Sequence, residues 1–518
     1  MVVRPKNSLM NVPLLVGLDA GTSATKACAF TTRGRLVAEV GVPVALEHPS
    51  PGFAEQPAGV LADSACEALR LLARQIEPSA VAGIGVTGQM GGLVLVDPDG
   101  RAISPHLSWL DGRAGAAVES AMEEHGRRIL ELGGLSPYLA PKAAWWLRAH
   151  GDAAAAAARM VEPAGFILLQ LAGAGAEDAV IDRSSCGFAG LFDVRSGDVE
   201  PELAELWGVS AGLAPRVVAA GEVAGSLSAS AASATGLPAG IPLVVAPGDG
   251  PCGWLGVGAV ESGVTVDTAG TSDHVGICTT GYTPDAEGRV LICLASGIQG
   301  LWHLQGYTSG TGLTQRWFLE TFPSDDGFAG LEREAATVPA GAEGLVCIPH
   351  FGGRVCPYQP AVAGVFVGLT WRHRREHLYR ALLESVAYEY GCYLEAARRL
   401  DPRLTSHEVR LIGGGAASGL WTQIKADVLG IPYSVMEESN YTCWGAAISA
   451  GVGVGLLDDM ASVARETARV RQVVKPDPAA AESYGRLFDV YKSLYEGLEG
   501  PFRSLWLLRQ ESSQRAGL

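Results

Sequence analysis

Apolar residues along this chain fall into two recurring patterns. Residues 13–19, PLLVGLD, form a short apolar run closed by an aspartate, which predicts a buried strand. After a turn at Gly21, ATKACAFTT alternates and predicts a second strand, and RLVAEVGVPV a third, a meander with a polar first turn. Leu61, Ala65, Ala68, Leu69 and Leu72 recur at helical spacing and predict a helix over about 57–75. VAGIGVTGQ (81–89) predicts a strand running into the loop TGQMGG. Residues 115–160 have a helical composition, and the alanine run AAAAAAR at 153–159 is expected to continue as a surface-packed helix.

The pattern then restarts. GIPLVVAPGDG (240–250) predicts a strand entering a tight loop, and SGVTVDTAGTSDHVGICTT repeats the strand–turn–strand of the N-terminus. A third strand is expected at 289–295 and helices at 312–322, 373–400, 442–456 and 480–498. EVRLIGGGAAS (408–418) reads as a strand into a glycine loop that opens another helix. The letters AGTS occur at 20–23 and again at 269–272. Each half therefore begins with the same hairpin, a duplication at domain scale. The expected division is residues 1–245 and 246–518, and 518 residues suit two cores better than one.

Composition narrows the function. With 39 Lys+Arg against 55 Asp+Glu, the net charge of −16 argues against nucleic acid or an anionic membrane as partner. The ten cysteines form no CxxC pair and no zinc-ligand spacing, as expected for reduced thiols of a cytoplasmic protein. No apolar stretch is long enough to span a bilayer, and MVVRPKNSLMN lacks the apolar core of a signal peptide.

The turns carry the candidate chemistry. Gly21 lets the backbone approach a ligand, Thr22 and Ser23 add hydroxyls, and turn N–H groups suit phosphate oxygens. Asp19 is a hard oxygen ligand suited to hydrated Mg²⁺, and Lys26 adds a point charge. One such hairpin is commonplace. Two, with Gly270, Thr271 and Ser272 forming the second, would clamp one polyphosphate between lobes. Gly413, Gly414 and Gly415 form either an ordinary strand–helix turn or a flat surface for an adenine or ribose, and SGTG at 309–312 could sit nearby. Asp249 in APGDGPCGW is either a turn residue or an unobstructed general base for a substrate hydroxyl.

The segments GLDAGTSATKA, GQMGGLVLVD, WLDGR, PGDG, DTAGTS, HFGGRVCPYQPAVAGVFVGLT and LIGGGAASGLWTQIKADVLGIP, in this order, resemble the FGGY carbohydrate kinases of the actin-like ATPase superfamily. The resemblance implies an α/β fold of two duplicated actin-like (ribonuclease H-like) lobes with a nucleotide and sugar cleft between them. It also implies ATP-dependent phosphorylation of a sugar, ketose or polyol hydroxyl with Mg²⁺, most simply of a pentulose such as xylulose. Asp19, Gly21, Thr22 and Lys26 match the family's first phosphate and magnesium loop, and Gly270 and Thr271 its second. Gly312, Gln315 and Gly415 match nucleotide contacts, and Asp249 the catalytic base. Gln89, Met90, Trp109, Asp111 and Arg113 match sugar-side positions.

WLDGR and FGGRxCPxxP look like the xylulokinase branch, but that branch usually carries Met-His after Gln89 where this chain has Met90-Gly91. The loss of an imidazole implies a changed sugar preference and, at Gly91, extra space. His274 is either a compensating polar group or a satisfied core histidine. Two other readings, a switch ATPase that only hydrolyses ATP and a silent sugar sensor, fit less well. The first has no need of Asp249 with a sugar-side cluster, and the second would be expected to lose Asp19 or Asp249. A homodimer is compatible with the sequence.

Overall fold

The computed structural model describes residues 12–270, 272–437 and 440–516. Two sheets organise it. The first contains β1 (Leu14–Ala20), β2 (Ala24–Thr31), β3 (Leu36–Pro43), β4 (Val81–Gly88), β5 (Val223–Ser226) and β6 (Pro242–Val245), in the order β5-β6-β4-β1-β2-β3. The second contains β7 (Val264–Ala269), β8 (Asp273–Thr279), β9 (Ile292–Ala295), β10 (Trp302–Thr308), β11 (Glu408–Ile412), β12 (Tyr433–Met436) and β13 (Val470–Val474), in the order β9-β10-β8-β7-β11-β12-β13.

In both sheets the founding hairpin is antiparallel, β1 with β2 and β7 with β8. Its first strand then pairs in parallel with a later one, β4 or β11, which pairs in parallel with β6 or β12. Strands flanked on both sides and covered on both faces must be apolar throughout, which is why LLVGLDA and VTVDTA read as continuous runs.

Helices α1 (Gly59–Ala73), α2 (Gly115–Gly133), α3 (Leu139–Ala149) and α4 (Pro163–Ala172) accompany the first sheet. Helices α5 (Asp249–Gly256), α6 (Thr311–Thr321), α7 (Arg375–Leu400), α8 (Gly419–Leu429), α9 (Tyr441–Gly453) and α10 (Pro478–Ala516) follow. The helices α5 and α9 lie against each other, and α9 also covers the first sheet. The approach is backbone to backbone: a Cβ on Gly17 of β1 would lie 1.8 Å from Cys443 O, and one on Gly256 2.0 Å from Tyr441 O. Part of the high glycine content is thus spent on seating these helices at the junction between the sheets.

Several expectations need correction. The alanine run does not continue a helix: the helix Gly151–Ala154 stops within it, and Arg159–Val161 pairs as a strand with Val94–Val96. This tertiary pairing with Val94–Val96 overrides alanine's helix propensity. The strand near 289–295 exists but lies at the sheet edge, with Trp302–Thr308 between it and the hairpin. The last helix runs on past 498 to Ala516, with Pro501 inside it. Asp249 stands at the first position of a helix rather than in an open loop.

Candidate active site

The turn Ala20–Ala24 is closed by Gly21 N–H donating to Ala24 O at 3.1 Å. The second turn is closed at the same offset, Gly270 N–H donating to Asp273 Oδ1 at 2.8 Å. Both glycine amides are therefore engaged inside their hairpins. Ser23 turns its carbonyl to Val44 N–H, and Lys26 lies directly across the β1–β2 ladder from Asp19. Thr271 lies outside the described residues.

Asp19 is the next-to-last residue of β1 and is half-buried, with its Oδ1 enclosed. Desolvation raises its carboxyl to about 6 against the opposing pull of Lys26, and its Oδ1 has no partner. Asp249 is raised to about 7, first by burial and then by the nearby charge of Asp19. Two carboxylates thus share one electrostatic environment at the C-terminal end of β1 and the N-terminus of α5. One orphaned buried carboxylate oxygen suits a cation that keeps most of its ligands as water and phosphate oxygens. Among the described residues no group of three or more His, Cys, Asp or Glu could hold a metal ion by itself.

The sugar-side residues converge on the same place. Thr87 donates to Pro247 O at 2.5 Å, and Ser184 Oγ accepts from Gly248 N–H at 2.9 Å, so the PGDG loop is fixed on two sides. A Cβ on Gly248 would lie 2.4 Å from Met90 Sδ, which places Met90 directly beside the residue before Asp249. Trp109 Nε1 donates to Thr22 Oγ1 at 3.0 Å, and that hydroxyl donates to Gln89 Oε1 at 3.5 Å. Gln89 is buried and its Nε2 is unpartnered. Asp111 has no oxygen to spare: Ala54 N–H and Arg113 engage both, and Arg113 reaches on to Glu55. It is a fixed carboxylate that organises its loop, not a free acceptor.

The expected vacancy at Gly91 is absent. Its φ is +76°, and a Cβ there would lie 3.1 Å from Tyr138 Cγ and 3.2 Å from Phe188 Cδ1. Two aromatic rings occupy the volume the missing side chain was expected to leave. His274 is half-buried, and desolvation lowers its imidazole to about 4 against the opposing pull of Asp267.

In the second sheet's half, Gly310 N–H donates to Ser272 Oγ at 3.1 Å, bringing the SGTG turn against the second AGTS turn. Gly312 lies in the first turn of α6, and Gln315 accepts from Tyr379 OH at 3.3 Å. A Cβ on Gly413 would meet Ala269 O at 2.3 Å, and one on Gly415 would meet Ala269 Cβ at 2.5 Å and the Trp421 ring at 2.8 Å. A side chain at Gly415 would therefore run into protein and not into open space; the open position is Gly414, with nothing within 4 Å. Behind the turn, Lys425 and Asp267 pair at 2.7 Å, with Tyr390 donating to Asp267 and Asp273. Among the described residues no hydrogen bond or ion pair links these nucleotide-side candidates to the Asp19–Asp249 group.

Family models described as the N-terminal and C-terminal domains of the FGGY family of carbohydrate kinases match residues 14–256 and 266–454. The chain belongs to this family. Xylulose kinase of Bacillus subtilis is 26% identical over 93% of this chain and 96% of its own length. Autoinducer-2 kinase of Klebsiella pneumoniae is 29% identical over 93% of each. The crystal structure of xylulose kinase from Rhodospirillum rubrum superposes with a TM-score of 0.85 at 30% identity, covering 95% of this chain and all of that one. This FGGY carbohydrate kinase accordingly has the two-lobed α/β fold of its relatives. Among its described residues no helix is long and apolar enough to cross a membrane.

Sequence reasoning missed Lys142, Glu162, Asp182 and Ser184, which hold the site's loops. A usable signal existed for one of them: Lys142 is the single charge within LAPKAAWW, a stretch otherwise apolar on every face.

Proposed function

We propose that this kinase transfers the γ-phosphoryl group of ATP to a hydroxyl of a ketose or polyol, most simply a pentulose such as xylulose, in the cytoplasm. The observation that carries the reading is the pairing of Asp249 with Asp19 beside Gln89 and Met90. It combines a carboxylate poised near neutrality, a buried orphan oxygen and an unpaired amide donor at one point. Asp249 accepts the proton of the attacking hydroxyl, and a base that titrates near the working pH does this best. Gln89 Nε2 and the loop carrying Trp109 orient the sugar. Asp19 would hold Mg²⁺ on the nucleotide phosphates, where the ion supplies charge neutralisation. The two halves of the chain, 1–245 and 246–518, would act as sugar-side and nucleotide-side lobes. Thr22, Ser23 and Lys26 would face the phosphates from one lobe, and Gly270, Thr271, Gly312, Gln315 and Gly414 from the other.

The test is an ADP-release screen over pentuloses, hexuloses, pentitols, tetritols, glycerol and gluconate. The compound named for the autoinducer-2 kinases is included because those relatives are as similar as the xylulose kinases. Release dependent on a pentulose supports the reading; release unaffected by every acceptor contradicts it.

A further inference from the structure

Gly91 is held from both sides. Its N–H donates to Glu162 Oε1 at 2.8 Å, and its carbonyl accepts from Lys142 Nζ at 3.0 Å. The same ammonium donates to Ser108 O at 2.5 Å, one residue before Trp109. Lys142 projects from α3, is only 2% exposed, and lies 5.3 Å from the Tyr138 ring. Burying an ammonium is costly, and an apolar side chain of similar length would fill the same volume without that cost. The ammonium does what an apolar chain cannot do: it joins the carbonyls of two separate loops. One loop carries Gln89 and Met90, and the other carries Trp109 and Asp111.

Glu162 extends the linkage toward the base. It stands at the start of α4, is within electrostatic reach of Asp249, and bonds Ser185. The adjacent Ser184 accepts from Gly248 N–H and donates to Asp182. Burial pushes the Glu162 carboxyl up to about 8, so it serves Gly91 as a neutral acceptor. Among the described hydrogen bonds no other side chain engages the N–H or the carbonyl of Gly91.

We propose that Lys142 and Glu162 are positioning residues for phosphoryl transfer: together they lock the Gly91 peptide and so set where Gln89 and Trp109 meet the sugar relative to Asp249. The proposal rests on the sugar-kinase reading. It makes sugar recognition, not nucleotide binding, the quantity that depends on this pair. Small displacements of positioning groups cost catalysis heavily, because the reacting hydroxyl must sit at attack distance and angle.

The experiment compares Lys142→Met, Glu162→Gln and Glu162→Leu with the natural enzyme. Thermal melts, nucleotide affinity, and kcat and KM for each active sugar are measured. Lys142→Met and Glu162→Leu are expected to lower kcat/KM for the best sugar by roughly 10–100-fold, the scale for losing a buried charged or obligatory hydrogen bond. Sugar KM should rise, discrimination among sugars should fall, and nucleotide affinity should hold within about 2-fold. Glu162→Gln keeps a neutral acceptor for Gly91 N–H and should stay near the natural enzyme. Should Lys142→Met fail to fold, the Glu162 pair decides: equal sugar KM in Gln and Leu variants overturns the proposal. So does a loss that falls equally on every sugar and on nucleotide binding. Failure of the natural enzyme to phosphorylate any sugar contradicts the kinase reading beneath it, whereas variants matching an active natural enzyme overturn the clamp alone.

Discussion

Trp109 Nε1 donates to Thr22 Oγ1 at 3.0 Å, so a residue of the WLDGR segment is bonded to the first glycine turn. A sugar-side candidate is therefore anchored on the phosphate-side turn. Trp109→Phe keeps an aromatic ring and removes the bond. A net hydrogen bond of this kind is worth about 1 kcal/mol. We expect kcat/KM for the sugar to fall roughly 3–10-fold, with sugar KM rising more than nucleotide KM, as steady-state kinetics with each substrate varied would register. A nucleotide KM that rises as much as the sugar KM would show that the bond serves the phosphate-side turn instead.

Asp249 is expected to set the pH dependence. As a base it works ionised, and its carboxyl is raised to about 7 by burial and by Asp19. Activity should therefore be lost as pH falls through about 7 and reach a plateau above it. The acid limb of the kcat/KM profile reports this group in the free enzyme. Removing the like charge with Asp19→Asn should move the limb of the residual activity to lower pH. Asp249→Asn should keep the fold and nucleotide binding while losing roughly 10²–10⁴-fold in turnover.

Gly414 and Gly415 should respond in opposite ways. A methyl group at Gly415 collides with Ala269 and Trp421, so Gly415→Ala should lower the melting temperature, by roughly 1–3 kcal/mol of overpacking. Gly414 faces open space, so Gly414→Leu should leave the melt unchanged and weaken nucleotide binding. Calorimetry of both variants, with and without nucleotide, distinguishes them.

Gly91→His should not restore an ordinary xylulokinase site. The position combines a φ of +76° with two rings at about van der Waals limit, so an imidazole cannot enter without displacing Tyr138 or Phe188. The expected outcome is a lower melting temperature and a loss of activity on every sugar. A stable variant with improved xylulose turnover would show that the rings give way.

The duplicated hairpins were legible because an apolar run with an aspartate shortly before Ala-Gly-Thr-Ser is a local signal, and it occurs twice. Asp249 could be singled out from its glycine flanks, although the helix it opens could not: DGPCGWLG has no helical polarity, since α5 is buried between α9 and strands of the second sheet. What lies opposite a glycine is not written near it. Gly91 and Gly415 looked like open positions, yet Tyr138, Phe188, Ala269 and Trp421 arrive from distant parts of the chain to fill them. Lys142 and Glu162 were missed on the same ground, since their partners Gly91 and Ser108 are tens of residues away.

The central claim is that Asp249 directs a phosphoryl group onto a sugar and not onto water. ATP whose γ-phosphoryl oxygens carry a heavy oxygen isotope tests it directly, with mass spectrometry of the products formed beside a pentulose. The account predicts a sugar phosphate carrying the labelled phosphoryl group, lost in Asp249→Asn while nucleotide still binds. Label recovered only in inorganic phosphate, or a labelled sugar phosphate formed at the natural rate by Asp249→Asn, would contradict it.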